Sequence, residues 1–295
     1  MLISELIRMG LVKALAVALI AGATTNHALA LDASATTNAA KTSDEASKGP
    51  FDLFRFGFKA FKKGDMDEAL EAYRSAADQG HPGARWALAN MYAYGNGVDE
   101  DDYEAFKMFD AIAREGVEPG TPEMGYFANA LVSLAGYYRK GITESPIKID
   151  LNQARQLYFH AASVFGIAEA QYQLALMMLN GEGGERDVMQ AKKWLNRARK
   201  SNHVGAMATL GHVMFEEGYT VRGLALMTAA LERSGPSDRD WIQDQQEKAF
   251  SLADEDVRRA AVALAGEMLA ATGLATPDVG IVSSTTSTLT AGSAD

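Results

Sequence analysis

The sequence contains no cysteine. Disulfides, thiol nucleophiles and thiolate metal sites are thereby excluded. Positive charge is in the minority: 28 Lys and Arg face 38 Asp and Glu, for a formal net charge of −10. A field of that sign repels phosphates and argues against a nucleic-acid partner. Long apolar runs are lacking as well. The run ALAVALIAGA (Ala14–Ala23) has ten residues, about half of what a permanent membrane span needs, and no later segment is long enough. No G-x-S-x-G or H-E-x-x-H occurs. GNG (Gly95–Gly97) and GEGG (Gly181–Gly184) follow helical rather than strand patterns. Without the Lys-Ser/Thr of a P-loop they read as repeat loops.

Hydrophobic residues make up 47% of the chain, enough for a large core. Arg8 and Lys13, the apolar run and the small-x-small ALA (Ala28–Ala30) together read as a secretory leader cleaved after Ala30. The expected location is therefore the periplasm, and the processed chain, with no spanning segment left, carries about −11. Residues 31–50 are small and polar, a flexible linker. Residues 275–295 are Ser/Thr-rich and without helical periodicity, a disordered tail.

Between them the chain repeats itself. Segments starting at Asp65, Asp101, Asp150 and Asp187 each carry Ala four residues on: Ala69, Ala105, Ala154 and Ala191. A large apolar residue follows after four more: Tyr73, Phe109, Tyr158 and Leu195. The Asp suits a helix N-cap, and the Gly or Asn at each end suits helix termination. Each such helix B is preceded by a helix A, aligned on Leu88, Leu134, Leu174 and Leu210. A small residue comes next in every case: Ala89, Ala135, Ala175 and Gly211. Small residues at fixed positions let neighbouring helices approach closely. Helix-turn-helix units at spacings of 46, 40 and 36 residues are α-solenoid repeats.

The prediction is an all-α, right-handed superhelix of five repeats over 51–80, 81–116, 117–166, 167–202 and 203–235, with capping helices over 236–274. In the opening stretch FRFGFKAFKKGD (Phe54–Asp65), rings and cations interleave as on some nucleic-acid surfaces. The spacing of Phe51, Phe54, Phe58 and Phe61 instead predicts one helix face in the core, with Arg55, Lys59, Lys62 and Lys63 solvated. Phe56 stands off that stripe as an end-cap or a partner contact.

No cofactor or metal site is expected. His81 and His203 share a repeat position in the turn before helix A. His160 and His212 have no ligand partner at metal spacing. Solenoids bind proteins along a concave face. The candidate partner-binding positions are the helix A residues opposite the Leu-Ala side: Trp86, Asn90 and Tyr94, then Lys140, Tyr172, Gln173, His212 and Glu216. The alternative for Trp86 and Tyr172 is packing against the next repeat.

The repeat pattern, best displayed in ANMYAYGNGVDEDDYEAFKMF, closely resembles the Sel1-like repeat, a tetratricopeptide variant. Longer strings, among them GPFDLFRFGFKAFKKGD, RWALANMYAYGNGV, GYFANALVSLAGYYRKGI and QARQLYF, resemble the ExoR family of exopolysaccharide regulators from about Gly49 to Ala271. That resemblance implies a periplasmic negative regulator without enzymatic activity. Its partner would be the periplasmic domain of an ExoS-type sensor histidine kinase, held inactive. Proteolysis by a periplasmic protease, under acid or host-associated conditions, would release the kinase, raising exopolysaccharide and lowering motility. An acid route has a physical form: ionised Asp caps would lose their stabilisation on protonation. A non-catalytic scaffold for envelope or peptidoglycan assembly is the competing reading, and a hydrolase of cell-wall or β-lactam compounds a more distant one.

Overall fold

The computed structural model describes residues 49–271; the leader with its cleavage point, nearly all of the linker and the tail lie outside these residues. Among the described residues there are twelve α-helices and no strand. The chain divides into two compact units, Met1–Arg186 and Asp187–Asp295.

The first unit holds α1 (Pro50–Lys63), α2 (Met66–Asp78), α3 (Pro82–Tyr94), α4 (Asp102–Glu115), α5 (Met124–Lys140), α6 (Leu151–Val164) and α7 (Ala168–Asn180). Each packs against the next in chain order. The second holds α8 (Val188–Lys200), α9 (Val204–Glu216), α10 (Thr220–Arg233), α11 (Pro236–Leu252) and α12 (Glu255–Ala271). There α10 is central and packs on α9, α11 and α12.

The helix boundaries follow from capping chemistry. Asp101, Asp150 and Asp187 accept from first-turn amides, as their positions predict: Asp101 from Tyr103 and Glu104, Asp150 from Gln153, Asp187 from Gln190. Asp65 departs from the pattern, because its side chain makes no cap hydrogen bond. Two of the five helices A, α3 and α9, use a different device, whereas α1, α5 and α7 have no side-chain cap hydrogen bond. His81 Nδ1 accepts from the Ala84 amide at 3.2 Å, and His203 Nδ1 from the Ala206 amide at 3.1 Å. A neutral imidazole nitrogen thus does the work of the usual carboxylate or hydroxyl.

The core is built where the small residues stand. Ala69, Ala105, Ala154 and Ala191 are fully buried, and so are Ala89, Ala135 and Ala175. Tyr73, Phe109, Tyr158 and Leu195 fill the space that these close approaches leave. Burial pushes the Tyr73 and Tyr158 phenols up to about 12, so both stay neutral at any ordinary pH.

In α1 the buried stripe is Leu53, Gly57 and Ala60, and not the four phenylalanines. Phe51 and Phe58 are 61% and 50% exposed, while Phe54 and Phe61 pack only partly against the cluster. The reason is Gly57: a Cβ there would meet the Tyr73 ring at 2.8 Å. The Tyr73 ring of α2 packs against bare α1 backbone, so the helix turns its smallest side to the core. Phe54 stacks on the His81 ring at 4.5 Å and 21°.

The loops after helix A also depend on glycine. Gly97 and Gly183 adopt left-handed φ values of 75° and 66°, which other residues reach only with strain. They also bring backbone against the preceding helix B: a Cβ would stand 2.6 Å from Met66 Cβ at Gly97 and 2.3 Å from the Leu151 carbonyl oxygen at Gly183.

Among the glycines inside helices, the tightest approach joins α9 and α10. A Cβ on Gly211 would stand 2.6 Å from the Gly223 carbonyl oxygen, and a Cβ on Gly223 equally close to that of Gly211. The expected outcome is that Gly223→Ala destabilises the chain by about 1–3 kcal/mol, because two backbones must separate. Gly266→Ala, mid-helix in α12 with open space around it, should stabilise by about 0.5–1 kcal/mol. Urea unfolding of both variants checks this.

Candidate functional site

Each helix A has one side in the core and one towards solvent. In α3 the core side is Ala84, Leu88, Ala89 and Met91. By register, Trp86, Val132 and Tyr172 each stand two residues before Leu88, Leu134 and Leu174. All three are half-buried, at the boundary between core and surface.

Trp86 leans on the neighbouring helix. Its ring lies 5.9 Å from that of Tyr126 at the start of α5, with 43° between planes. Tyr126 in turn rests on Gly83, where a Cβ would be 2.7 Å away. The Trp86 indole Nε1 is buried without a hydrogen-bond partner. Asn90 turns back on its own helix, donating from Nδ2 to the Trp86 carbonyl at 2.7 Å. Tyr94 is 71% exposed at the end of α3, and Lys140 is exposed at the end of α5.

Gln173 on α7 belongs to a network whose centre sequence reading misses. Arg139 donates from Nε to Glu182 Oε2 at 2.6 Å and from Nη2 to Oε1 at 3.0 Å. Its Nη1 donates to Gln173 Oε1 at 2.8 Å. Gln173 Nε2 reaches Glu169, and Asn180 Nδ2 reaches Glu182 Oε1 at 2.9 Å. The fork-to-carboxylate geometry ties α5 to the loop after α7. The hydrogen bonds from Arg139 hold the Glu182 carboxyl below its ordinary range, against an opposing effect of burial. Arg139 and Glu182 are 43 residues apart, and no local pattern marks either. In the second unit, His212 and Glu216 form an i,i+4 pair on α9 at 3.3 Å, which corrects the expectation that His212 has no such partner.

The remaining histidines have structural positions. His81 and His203 cap α3 and α9. His160 sits among the rings of Phe127 and Phe165, and burial pushes its pKa down. Among the described residues no three His, Asp or Glu side chains come together as a metal site would require. No described helix is long and apolar enough to cross a membrane. Within each unit, helix A carries aromatic, amide and charged groups away from the core.

The Sel1 repeat matches residues 52–81, 82–117, 128–163 and 168–203, covering α1–α2, α3–α4, α5–α6 and α7–α8. A crystallised Sel1 repeat protein from Oxalobacter formigenes superposes with a TM-score of 0.53 and 22% identity, over 68% of this chain and 88% of that one; the likeness is one of fold. The exopolysaccharide production negative regulator of Rhizobium meliloti (strain 1021) is 64% identical over 220 residues, 75% of this chain and 82% of the relative. The protein of the same description from Rhizobium leguminosarum bv. viciae is 63% identical over 216 residues, 73% of this chain and 81% of the relative. The chain belongs to this family of exopolysaccharide production negative regulators, built of Sel1 repeats.

Proposed function

We propose that this protein acts in the periplasm as a non-catalytic negative regulator. It binds the sensing domain of a membrane sensor histidine kinase and keeps that two-component system off, restraining exopolysaccharide synthesis and sustaining motility. The observation that carries the reading is the 64% identity to a regulator of that description over most of both chains. A repeat fold whose helix A rows hold Trp86, Tyr94, Tyr172 and Gln173 on rigid elements supports a partner that is itself a protein. Tyr94 and Lys140 are the accessible anchors. Trp86 serves the surface by fixing α3 against α5.

Relief of inhibition by acid or proteolysis is part of the proposal, and His81 supplies a physical route. Its neutral Nδ1 is the acceptor that caps α3; protonation removes that lone pair. Burial lowers the His81 pKa, with Glu123 and its own backbone hydrogen bond acting in the opposite direction. The rings of Phe51 and Phe54 flank it. A group whose folded pKa lies below its ordinary value, here 6.5, contributes stability above that value. The contribution is lost as pH falls through the folded pKa. Glu182 behaves alike at still lower pH, since its folded pKa is also depressed. Acid therefore loosens the start of α3 first and opens backbone to a periplasmic protease.

Two outcomes follow. With the purified kinase ectodomain on a sensor surface, Tyr94→Ala weakens binding by about tenfold while leaving the melting temperature unchanged, whereas Trp86→Ala lowers both. Failure of the wild-type chain to bind the ectodomain, with recovery only of envelope-assembly enzymes from periplasmic extracts, supports the scaffold reading instead. In urea titrations, the wild type loses stability as pH falls below about 6.5, whereas His81→Asn, which caps without titrating, loses measurably less. Equal losses in the two proteins overturn the histidine route.

A further inference from the structure

The second unit encloses a cavity of about 140 Å³ between α8, α9, α10 and α12. Its rim and floor differ in chemistry. The rim carries Arg199 and Lys200 from the last turn of α8, and Arg233 from the end of α10. The floor is apolar: Met207, Leu226 and Leu269 line it and are themselves buried.

The rim cations are not neutralised within the unit. Arg199 donates only to the side-chain oxygen of Asn196, at 2.9 and 3.2 Å, and Arg233 to that of Asn202 at 3.0 Å. Neither they nor Lys200 and the neighbouring Arg222 form an ion pair among the described residues. Burial, and then the charges of Arg222 and Arg233, push the Arg199 guanidinium below its ordinary range. Half-buried, mutually repelling guanidiniums at the mouth of an apolar cavity are a costly arrangement for a chain of net charge −10. An anion placed between them relieves that cost, and a planar carboxylate matches two guanidiniums by paired hydrogen bonds.

We infer that this cavity binds a small free carboxylic acid, its carboxylate between Arg199 and Arg233 and its apolar body on Met207, Leu226 and Leu269. The volume sets the class. A cavity of about this size, lined by aliphatic side chains, takes a group the size of benzene. The body is thus an aryl or branched alkyl group, too large for acetate to fill the site. A volume of about 140 Å³ holds one such group and little more, so the ligand is a small acid. The site goes beyond the regulatory reading above, and it gives the second unit a ligand-dependent stability.

The test is thermal unfolding of the full chain with benzoate and 4-methylpentanoate as probes. Both should raise the melting temperature progressively with concentration. Acetate has the charge without the body and benzamide the body without the charge; each should act at least about tenfold more weakly. Arg199→Gln combined with Arg233→Gln should melt normally without ligand and lose the benzoate response by at least about tenfold in apparent affinity. Should that double variant melt abnormally, Lys200→Gln with Arg233→Gln takes its place. Three results each overturn the inference: no shift with either acid, equal shifts with acetate, or an unchanged benzoate response in the charge-removed variant.

Discussion

The close approach of paired helices through alanine and glycine is the contact on which the rest of this molecule depends. Where Ala69, Ala105, Ala154 and Ala191 stand, the facing helix comes near enough for one large side chain to fill the remaining space. At Gly57 the filler is the Tyr73 ring on bare backbone, and at Gly211 and Gly223 the two backbones themselves come together, with the Met227 side chain beside them. Each approach fixes the position of a helix A. The outward residues of helix A are thereby held on rigid supports, which is what a recognition surface needs. The spacing of the outward aromatic and amide groups is set by these buried small residues.

Much of this was legible in the sequence, because periodic burial leaves a periodic trace. The Asp-to-Ala spacing located helix B, and Asp101, Asp150 and Asp187 cap as their positions predict. The all-α repeat fold follows from that pattern. In α1 large side chains do not mark the core. In α1 the four phenylalanines looked like the buried face, yet the helix buries Leu53, Gly57 and Ala60. A face of small residues has little hydrophobic weight in a sequence and much geometric value in a fold. Asp65 looked like its three counterparts, but its side chain does not cap.

Other features lie beyond local pattern. The shared position of His81 and His203 was visible, and a turn role with it. Their use as cap acceptors through Nδ1 was not, since histidine is a rare choice there. That choice makes two helix starts depend on neutral imidazole, a demand that a carboxylate cap does not impose. The Arg139–Glu182 pair joins positions 43 residues apart and has no sequence signal. Among the candidate surface residues, Tyr94 and Lys140 are accessible, whereas Trp86, Asn90 and Gln173 are engaged with their own unit. Position on a helix wheel separates core from surface, but it does not separate a free surface group from one held by the next repeat.

The regulatory claim reaches from this geometry to the cell. A protein with this fold, this surface and close relatives described as negative regulators of exopolysaccharide production acts by restraint, so its removal has a signed consequence. The most direct measurement is the exopolysaccharide yield of the source organism with the gene deleted and then restored in trans. The account predicts a rise on deletion and a return to the original level with the intact chain. An unchanged or lower yield on deletion would contradict it.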